Sequence, residues 1–514
     1  MGQQCPHAYV GGLLITLITF NFQLCCSSRN LNHASSKHRN SVVSEDSLAR
    51  CQTYLGWDIM RPFSAILTAD PGTFSGVSEA HFILANLVNR TDKAADETVC
   101  GLLSSGILLG ETVLVVTTGI GPSAAAMCTL EVLTECGAWI QDAVYFGTSG
   151  WSPQPGGLVN PPNCTAANWK KSKITRTGDV CISPFCVNWT CKQSTWVKQS
   201  AGAPNQCMRP AETAGPVNTS LFGECMFYKD NILGNVAFAD SLIEVSKSAS
   251  GTRNFPSRPA AVSTHEELYW SRVAQGVGRA DDMPKLNKHA APRVWDYTQC
   301  MEVDGQLFFN GSPWELKARD YAAETLNAAL KHMAAVELKV RGSSSASQKE
   351  HMLGGGLASW KQAKLNLPLG EVHEEQTTLE DLSKKAVTAD SMIAVSAMEG
   401  VGVSEAFMRY HALSTTLSPI PFTHIRTLSN WMLQPIQQVS PGVWEASEEV
   451  PDDFVNGYAY AISTGSSTIL SLFQARCLAR EGTNGANGTG CSFEIVSEAL
   501  SSLIMEKRLK TSNA

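Results

Sequence analysis

The sequence has little charge and none of it in basic excess: 17% of the 514 residues are charged, with 40 Lys and Arg against 47 Asp and Glu, for a net charge of −7. That removes the general electrostatic footprint of a nucleic-acid binder. Beyond the first thirty residues no apolar run is long enough to span a bilayer, which excludes a pore or channel built of helices. No period of 20 to 50 residues repeats, so a solenoid or propeller is excluded as well. Paired C-x2-C knuckles are missing too. The cysteines of CISPFCVNWTC are spaced C-x4-C-x4-C with no His nearby, which argues against a structural zinc site. What is present is an ordinary globular composition, 43% hydrophobic, long enough for a large core and, on length alone, for two to four domains.

The start of the chain points to secretion. AYVGGLLITLITFNFQLCC is apolar, is shortened by Asn21 and Gln23, and runs into small residues from Cys25 to Ser28. It reads as a cleaved signal peptide over residues 1–28, although no Lys or Arg precedes it; an uncleaved anchor is the other reading. Six Asn-x-Ser/Thr sequons, at Asn89, Asn163, Asn188, Asn218, Asn310 and Asn487, fit the same route. So do the sixteen cysteines, of which Cys5, Cys25 and Cys26 lie in the apolar start. Six others, Cys164, Cys181, Cys186, Cys191, Cys207 and Cys225, fall in one loop-rich region, the pattern of a disulfide-stapled insertion. The mature protein is therefore expected to be soluble and extracellular, vacuolar or lumenal.

Along the chain, residues 29–54 are polar and aperiodic and read as a disordered lead-in. The rest, 55–514, reads as one domain. SAILTA ends in Asp70, Pro71 and Gly72, as a strand entering a turn does. TVLVVTTGIG is a buried-strand pattern, PSAAAMCTLEVLTECG a helix closed by Gly137, and DAVYFGTSG a second strand with a glycine ending. Strand, glycine turn, helix and strand is the grammar of α/β folds: three layers, α/β/α, around a mixed, largely parallel sheet. Residues 155–300 interrupt it as a Cys-rich insertion, apart from the strand-like GDVCIS and a helix near Asn235 to Ser246. Residues 341–375 read as a flexible loop. The grammar resumes in SMIAVSAMEGVGVSEAFMRY, FTHIRTLSNW, a helix from about Asn456 to Arg480 and a terminal helix over Phe493 to Lys510.

In open parallel sheets ligands sit beyond the carboxyl ends of the strands. Four such endings carry usable groups: Gly119 to Ser123, Gly147 to Gly150, Met398 with Glu399, and Ser429 with Asn430. Glycines let a backbone approach an anion or sugar, and the hydroxyls of Ser123, Thr148 and Ser149 can donate to it. In order, VLVVTTGIGPSAAA, DAVYFGTSG, TRTGDVCIS, GQLFFNGS, SAMEGVGV and IRTLSN resemble the motifs of the purine nucleoside phosphorylase and methylthioadenosine nucleosidase superfamily, over residues 62–480. The secretory start, the cysteines and the Ser-Asn ending resemble its purine nucleoside permease and plant storage-type branch.

The resemblance implies cleavage of the N-glycosidic bond of a purine nucleoside, without a cofactor or metal, in a homo-oligomer. It implies that Glu399 accepts both cis hydroxyls of the ribose and stabilises oxocarbenium character as the bond breaks. By the same resemblance Met398 packs on the ribose, and Phe308, or Phe309, stacks on the purine. Asn430 stands where nucleosidases of the family carry an Asp, and an amide cannot act as a general acid. It can hydrogen-bond N7 and a 6-oxo group, so 6-oxopurines are expected. The attacking group is left open between inorganic phosphate and water. Tyr145 replaces an Arg that bacterial-type phosphorylases carry, TADPGTFSG has no Arg, and only Arg426 could serve phosphate; Gly121, Gly147, Thr148 and Ser149 would contribute backbone and hydroxyl donors. Asp70 or Glu79 would activate water. Without those motifs Glu399 would be a partner of Arg426, and His424 reads as a structural histidine. A glycan on Asn310 would obstruct the purine segment, so that sequon is expected to be unused. A nucleoside-binding uptake component and a storage protein are the non-enzymatic alternatives.

Overall fold

A computed structural model describes residues 45–93 (except 74–75), 97–151, 175–194, 225–276 (except 234–235 and 251–254), 286–305 (except 289), 393–413, 420–482 (except 432–435, 441–442 and 447–450), 491–493 and 495. All of them belong to one compact unit, residues 43–514. The segments expected to be a signal peptide, a loop at 341–375 and most of a terminal helix, together with Phe308, Phe309 and Asn310, lie outside the described residues.

The described elements are α1 (Glu45–Leu55), β1 (Phe63–Thr68), α2 (His81–Ala85), β2 (Val88–Lys93), β3 (Leu102–Leu108), β4 (Glu111–Thr117), α3 (Pro122–Cys136), β5 (Ile140–Trp151), β6 (Val180–Ser183), β7 (Phe185–Ser194), β8 (Cys225–Leu233), α4 (Val236–Ala249), α5 (Ala260–Gly276), β9 (Val294–Trp295), β10 (Cys300–Gly305), β11 (Ile393–Ala397), α6 (Gly400–Leu413), β12 (Phe422–Trp431), β13 (Ile436–Ser440), β14 (Val443–Ala446) and α7 (Pro451–Gly482). Twelve of the strands form one mixed sheet. Its main path runs β2-β3-β4-β1-β5-β11-β10-β7-β8, β12 pairs with β5 and β6, and β6 pairs with β9.

Alternation along the central strands divides the core into two layers. Phe63, Ala65 and Leu67 of β1, Leu114 and Val116 of β4, and Ala143 and Tyr145 of β5 pack against α1, α3 and α6, meeting Cys51, Val132 and Phe407 there. The residues between them, Ile66, Val113, Val115, Val144 and Phe146, face α4 and α7 through Phe238, Leu242, Leu470 and Phe473. Each strand is thus covered on both sides, which is why β1 and β4 read as continuous apolar runs. The fold is the three-layer α/β/α arrangement expected from the sequence.

Two details differ from that expectation. The expected lead-in, residues 29–54, lacks an apolar period, yet residues 45–54 of it belong to α1, which a disulfide from Cys51 to Cys136 ties to α3. The region 155–300 also does more than decorate the domain. Its β6 pairs with β12 and its β7 with β10, so it supplies strands to the main sheet. Within it Cys181 bonds Cys300, while Cys186 is a buried free thiol. Two further bridges, Cys100–Cys128 and Cys477–Cys491, lie elsewhere. No described helix is long and apolar enough to cross a membrane.

Candidate active site

The long strand β5 organises the site. Its first half lies beside β1, up to the pair Leu67–Tyr145. Past that point β11 takes over the same side, antiparallel, with Ser396 opposite Gly150. On the other side β12 runs parallel to β5 and places Asn430 opposite Gly150. Asn430 and Ser396 are therefore two strand spacings apart, roughly 10 Å, and Glu399 follows three residues after Ser396. Residues 34 positions apart in the chain thus flank one glycine.

Glu399 is buried. Its Oε1 accepts the Gly121 N–H at 3.1 Å, and the Tyr145 hydroxyl lies 3.4 Å from its Oε2. Gly121 reaches it from a backbone with φ of 95°, open to glycine, as the N-cap of α3. Burial pushes the Tyr145 hydroxyl well above its usual range, so it stays protonated and donates.

Beneath this carboxylate lies Arg426. Its guanidinium is fully buried, sits 4.3 Å from the centre of the Tyr145 ring, and donates from Nη2 to Glu302 Oε1 at 2.7 Å. Glu302 Oε2 is 2.8 Å from His424 Nδ1, and His424 Nε2 is 2.8 Å from Ser404 Oγ. Burial alone would raise the Glu302 carboxyl, but the Arg426 and His424 charges and hydrogen bonds hold it down to about 2. An ionised Glu302 accepts only, and His424 is fully buried between it and the Ser404 hydroxyl. Asp304, on the same strand, is pushed well above its normal range by burial and by the Glu302 charge, so it stays protonated. Gly400 is obligatory here, because a Cβ would lie 1.8 Å from Glu302 Oε1.

Glu79 closes the cluster from the β1 side. Its Oε2 accepts the N–H groups of Ala69 and Asp70 at 2.9 and 3.1 Å, and its Oε1 accepts Thr148 N–H and Oγ1–H at 2.7 and 3.1 Å. Burial raises its pKa against those bonds and the Arg426 charge. Gly147 separates the two groups, with room for a hydrogen only: a Cβ there would lie 2.2 Å from Arg426 Nη1 and 3.1 Å from Glu79 Oε1. Asp70, by contrast, spends its carboxylate on the turn, accepting from Gly72 and Thr73 N–H and from the Tyr458 hydroxyl.

The remaining candidates fall into two groups. Ser429 donates to Ser149 O at 3.2 Å or to Asn430 Oδ1 at 2.7 Å, which fixes the amide beside the β5 glycine. Ser149 is itself buried. Met398 and Ser123 are exposed, on either side of the Gly121–Glu399 contact. The structure brings Glu399, Gly121, Gly147, Thr148 and Arg426 together with Glu79, and sets Ser149, Ser429 and Asn430 beside them across β5. Glu302, Asp304 and the Tyr145 hydroxyl were not singled out from the sequence. Glu302 lies 124 positions from Arg426, and no local pattern signals such a pair. Among the described residues, Cys186, Glu302 and Asp304 offer ligand atoms within 4.8 Å of one another. The Arg426 guanidinium on Glu302 opposes a cation at that point, and burial keeps the Cys186 thiol protonated.

No protein-family model matches the chain, and no curated protein does either. Solved structures do. A 5'-methylthioadenosine/S-adenosylhomocysteine nucleosidase from Neisseria meningitidis, in complex with methylthio-immucillin-A, is 11% identical, with 80% of this chain and 98% of that one covered at a TM-score of 0.33. Futalosine hydrolase of Helicobacter pylori is 12% identical, covering 80% and 97% at 0.33. A Streptococcus pneumoniae MTA/SAH nucleosidase with 8-aminoadenine is 11% identical, covering 81% and 99% at 0.32. Likeness at this level is distant, and no activity follows from it. The permease and storage-type branch gains no support from these three neighbours.

Proposed function

We propose that this protein cleaves the N-glycosidic bond of purine nucleosides by hydrolysis, with 6-oxopurines preferred. The observation that carries the reading is the buried Glu399 carboxylate at the end of β11, held by Gly121 N–H and facing a cluster of acids. A carboxylate has about four acceptor sites, so two donors leave capacity for the vicinal hydroxyls of a ribose. Near a fixed negative charge, the positive character that C1′ gains as the bond breaks is stabilised more than the ground state.

Water is favoured over phosphate by the state of Arg426. Its positive charge is committed to Glu302 and its face to Tyr145, whose hydroxyl meets the Glu399 carboxylate, while Glu79 adds a further carboxyl and Asp304 stays protonated. A phosphate dianion would meet that acidic excess with no second guanidinium among the described residues of the site. Neither carboxylate considered as the base is open to a water, because Glu79 takes four donors and Asp70 is spent on its turn. In the step itself the water oxygen bonds to C1′, the C1′–N9 pair leaves with the purine, and the water's proton passes through solvent to the departing base.

The preference for 6-oxopurines rests on Asn430. An amide beside the β5 glycine can bring an Nδ2 donor to the acceptors N7 and O6, a pairing that the 6-amino group of adenine does not offer. The test is to incubate the purified protein with inosine, guanosine, adenosine and methylthioadenosine, with and without phosphate. Free base and free ribose without phosphate are expected. Ribose 1-phosphate formed only when phosphate is supplied would overturn hydrolysis, and binding without release would favour the uptake component.

A further inference from the structure

We propose that Asn89 carries an N-linked oligosaccharide, and that this glycan covers the free edge of the main sheet. The sequon Asn89-Arg90-Thr91 lies in β2, the terminal strand of the sheet path, whose outer edge pairs with no described strand. Five of its six residues, Val88 to Asp92, are exposed, including the apolar Val88 at 59%. The pairing with β3 jumps from Val88–Ile107 to Thr91–Ser105, so Asn89 and Arg90 stand opposite Gly106 alone. This bulge puts Asn89 at φ 54°, a left-handed conformation that Asn tolerates better than most residues. It turns an exposed amide out of the strand, where a folded chain can keep a large substituent.

The other described sequon is built differently. Asn188 lies in β7, paired on one side with Asp304 and on the other with Asp230, so its strand is interior to the sheet. Four disulfides among the described residues, Cys51–Cys136, Cys100–Cys128, Cys181–Cys300 and Cys477–Cys491, supply an independent reason to place folding in the oxidising compartment where such transfer occurs. In the transfer Asn89 Nδ2 bonds to C1 of an oligosaccharide carried on a lipid pyrophosphate. The sugar–phosphate bond breaks, and the lipid pyrophosphate leaves as the amide loses one proton. A bare edge strand is a template for pairing with a second chain. A bulge, the exposed charges of Arg90 and Asp92, and a glycan on Asn89 all act against that.

The test is expression of the full chain in a secreting eukaryotic host, followed by amidase release of glycans in heavy-oxygen water and peptide mass spectrometry. The Asn89 peptide is expected to be occupied and converted to labelled Asp. Asn89→Asp, which keeps the left-handed tolerance, and Thr91→Ala, which keeps Asn89, should each remove one glycan and leave base release unchanged. Both should increase self-association in sedimentation. An unmodified Asn89 peptide in secreted protein, or retention of the chain in the cytosol with reduced thiols, would overturn the site. Identical sedimentation with and without the glycan would overturn its shielding role.

Discussion

The two ends of the central strands carry two buried ionic clusters of opposite design. At the amino ends Arg476 of α7 joins Ser64 of β1, Glu111 of β4 and Asp142 of β5, and Arg480 also reaches Glu111. Two guanidiniums meet two carboxylates, so the charges balance. At the carboxyl ends one guanidinium, Arg426, faces the carboxylates of Glu302 and Glu399, with the Glu79 pKa raised by burial and Asp304 kept protonated beside them. A cluster that balances serves to close a sheet, whereas one left with acidic excess is prepared for positive charge that only a reacting ligand brings.

The widest separation between the two should come from Glu399→Gln. The substitution keeps shape and removes charge, and base release is expected to fall by about two to four orders of magnitude with the folded state intact. Wild-type turnover in that variant would reduce the upper cluster to a structural one. Arg476→Met probes the opposite end. It strands Asp142 beside a half-satisfied Glu111, and the denaturation midpoint should drop by the equivalent of about 3 kcal/mol at unchanged slope. Base release per folded molecule should stay the same; a selective loss of activity would mean the lower cluster also serves the reaction.

A third measurement sharpens the contrast through pH. The folded Glu302 titrates near 2 against an ordinary 4.5, so it contributes stability that is fully present above 4.5 and is lost as pH falls toward 2. Thermal melts should therefore decline across that interval, and Glu302→Gln should flatten the decline. Melts of the variant that track the wild type would show that the charge on Glu302 is not what the fold depends on.

Much of the frame was legible because its signals are local. The β-branched run of β4, the glycine turn and helix α3 sit within one stretch of chain and form as the pattern dictates, although Gly137 ends α3 with a right-handed φ of −57° and leads into a short 3-10 turn rather than a left-handed cap. Glu399 was legible for a similar reason, as a lone acid at a strand end. The engagement of Arg426 by Glu302 was not, and neither was the Tyr145 hydroxyl beside Glu399, which sits 254 positions away in the chain. Those contacts depend on which strands become neighbours, and periodicity within a strand carries no record of its partner. Helix α1 escaped notice because its anchor, the bridge from Cys51 to Cys136, spans 85 residues.

The smallest effect bears on selectivity, through Asn430. Asn430→Ala removes an amide donor that N7 and O6 of a 6-oxopurine would use, while adenosine loses only the N7 contact. One hydrogen bond of this kind is worth about 1 kcal/mol, so kcat/KM for inosine should fall by roughly fivefold to tenfold relative to adenosine. Asn430→Asp carries the point further. A carboxyl can supply a proton to N7 where an amide cannot, and its ionised form repels O6 while accepting from the 6-amino group, so the ratio should swing toward adenosine, most strongly at a pH where the carboxyl is ionised. An equal loss on both nucleosides in the alanine variant, with no swing in the aspartate variant, would place Asn430 in the turn and leave the choice of purine to residues elsewhere in the chain.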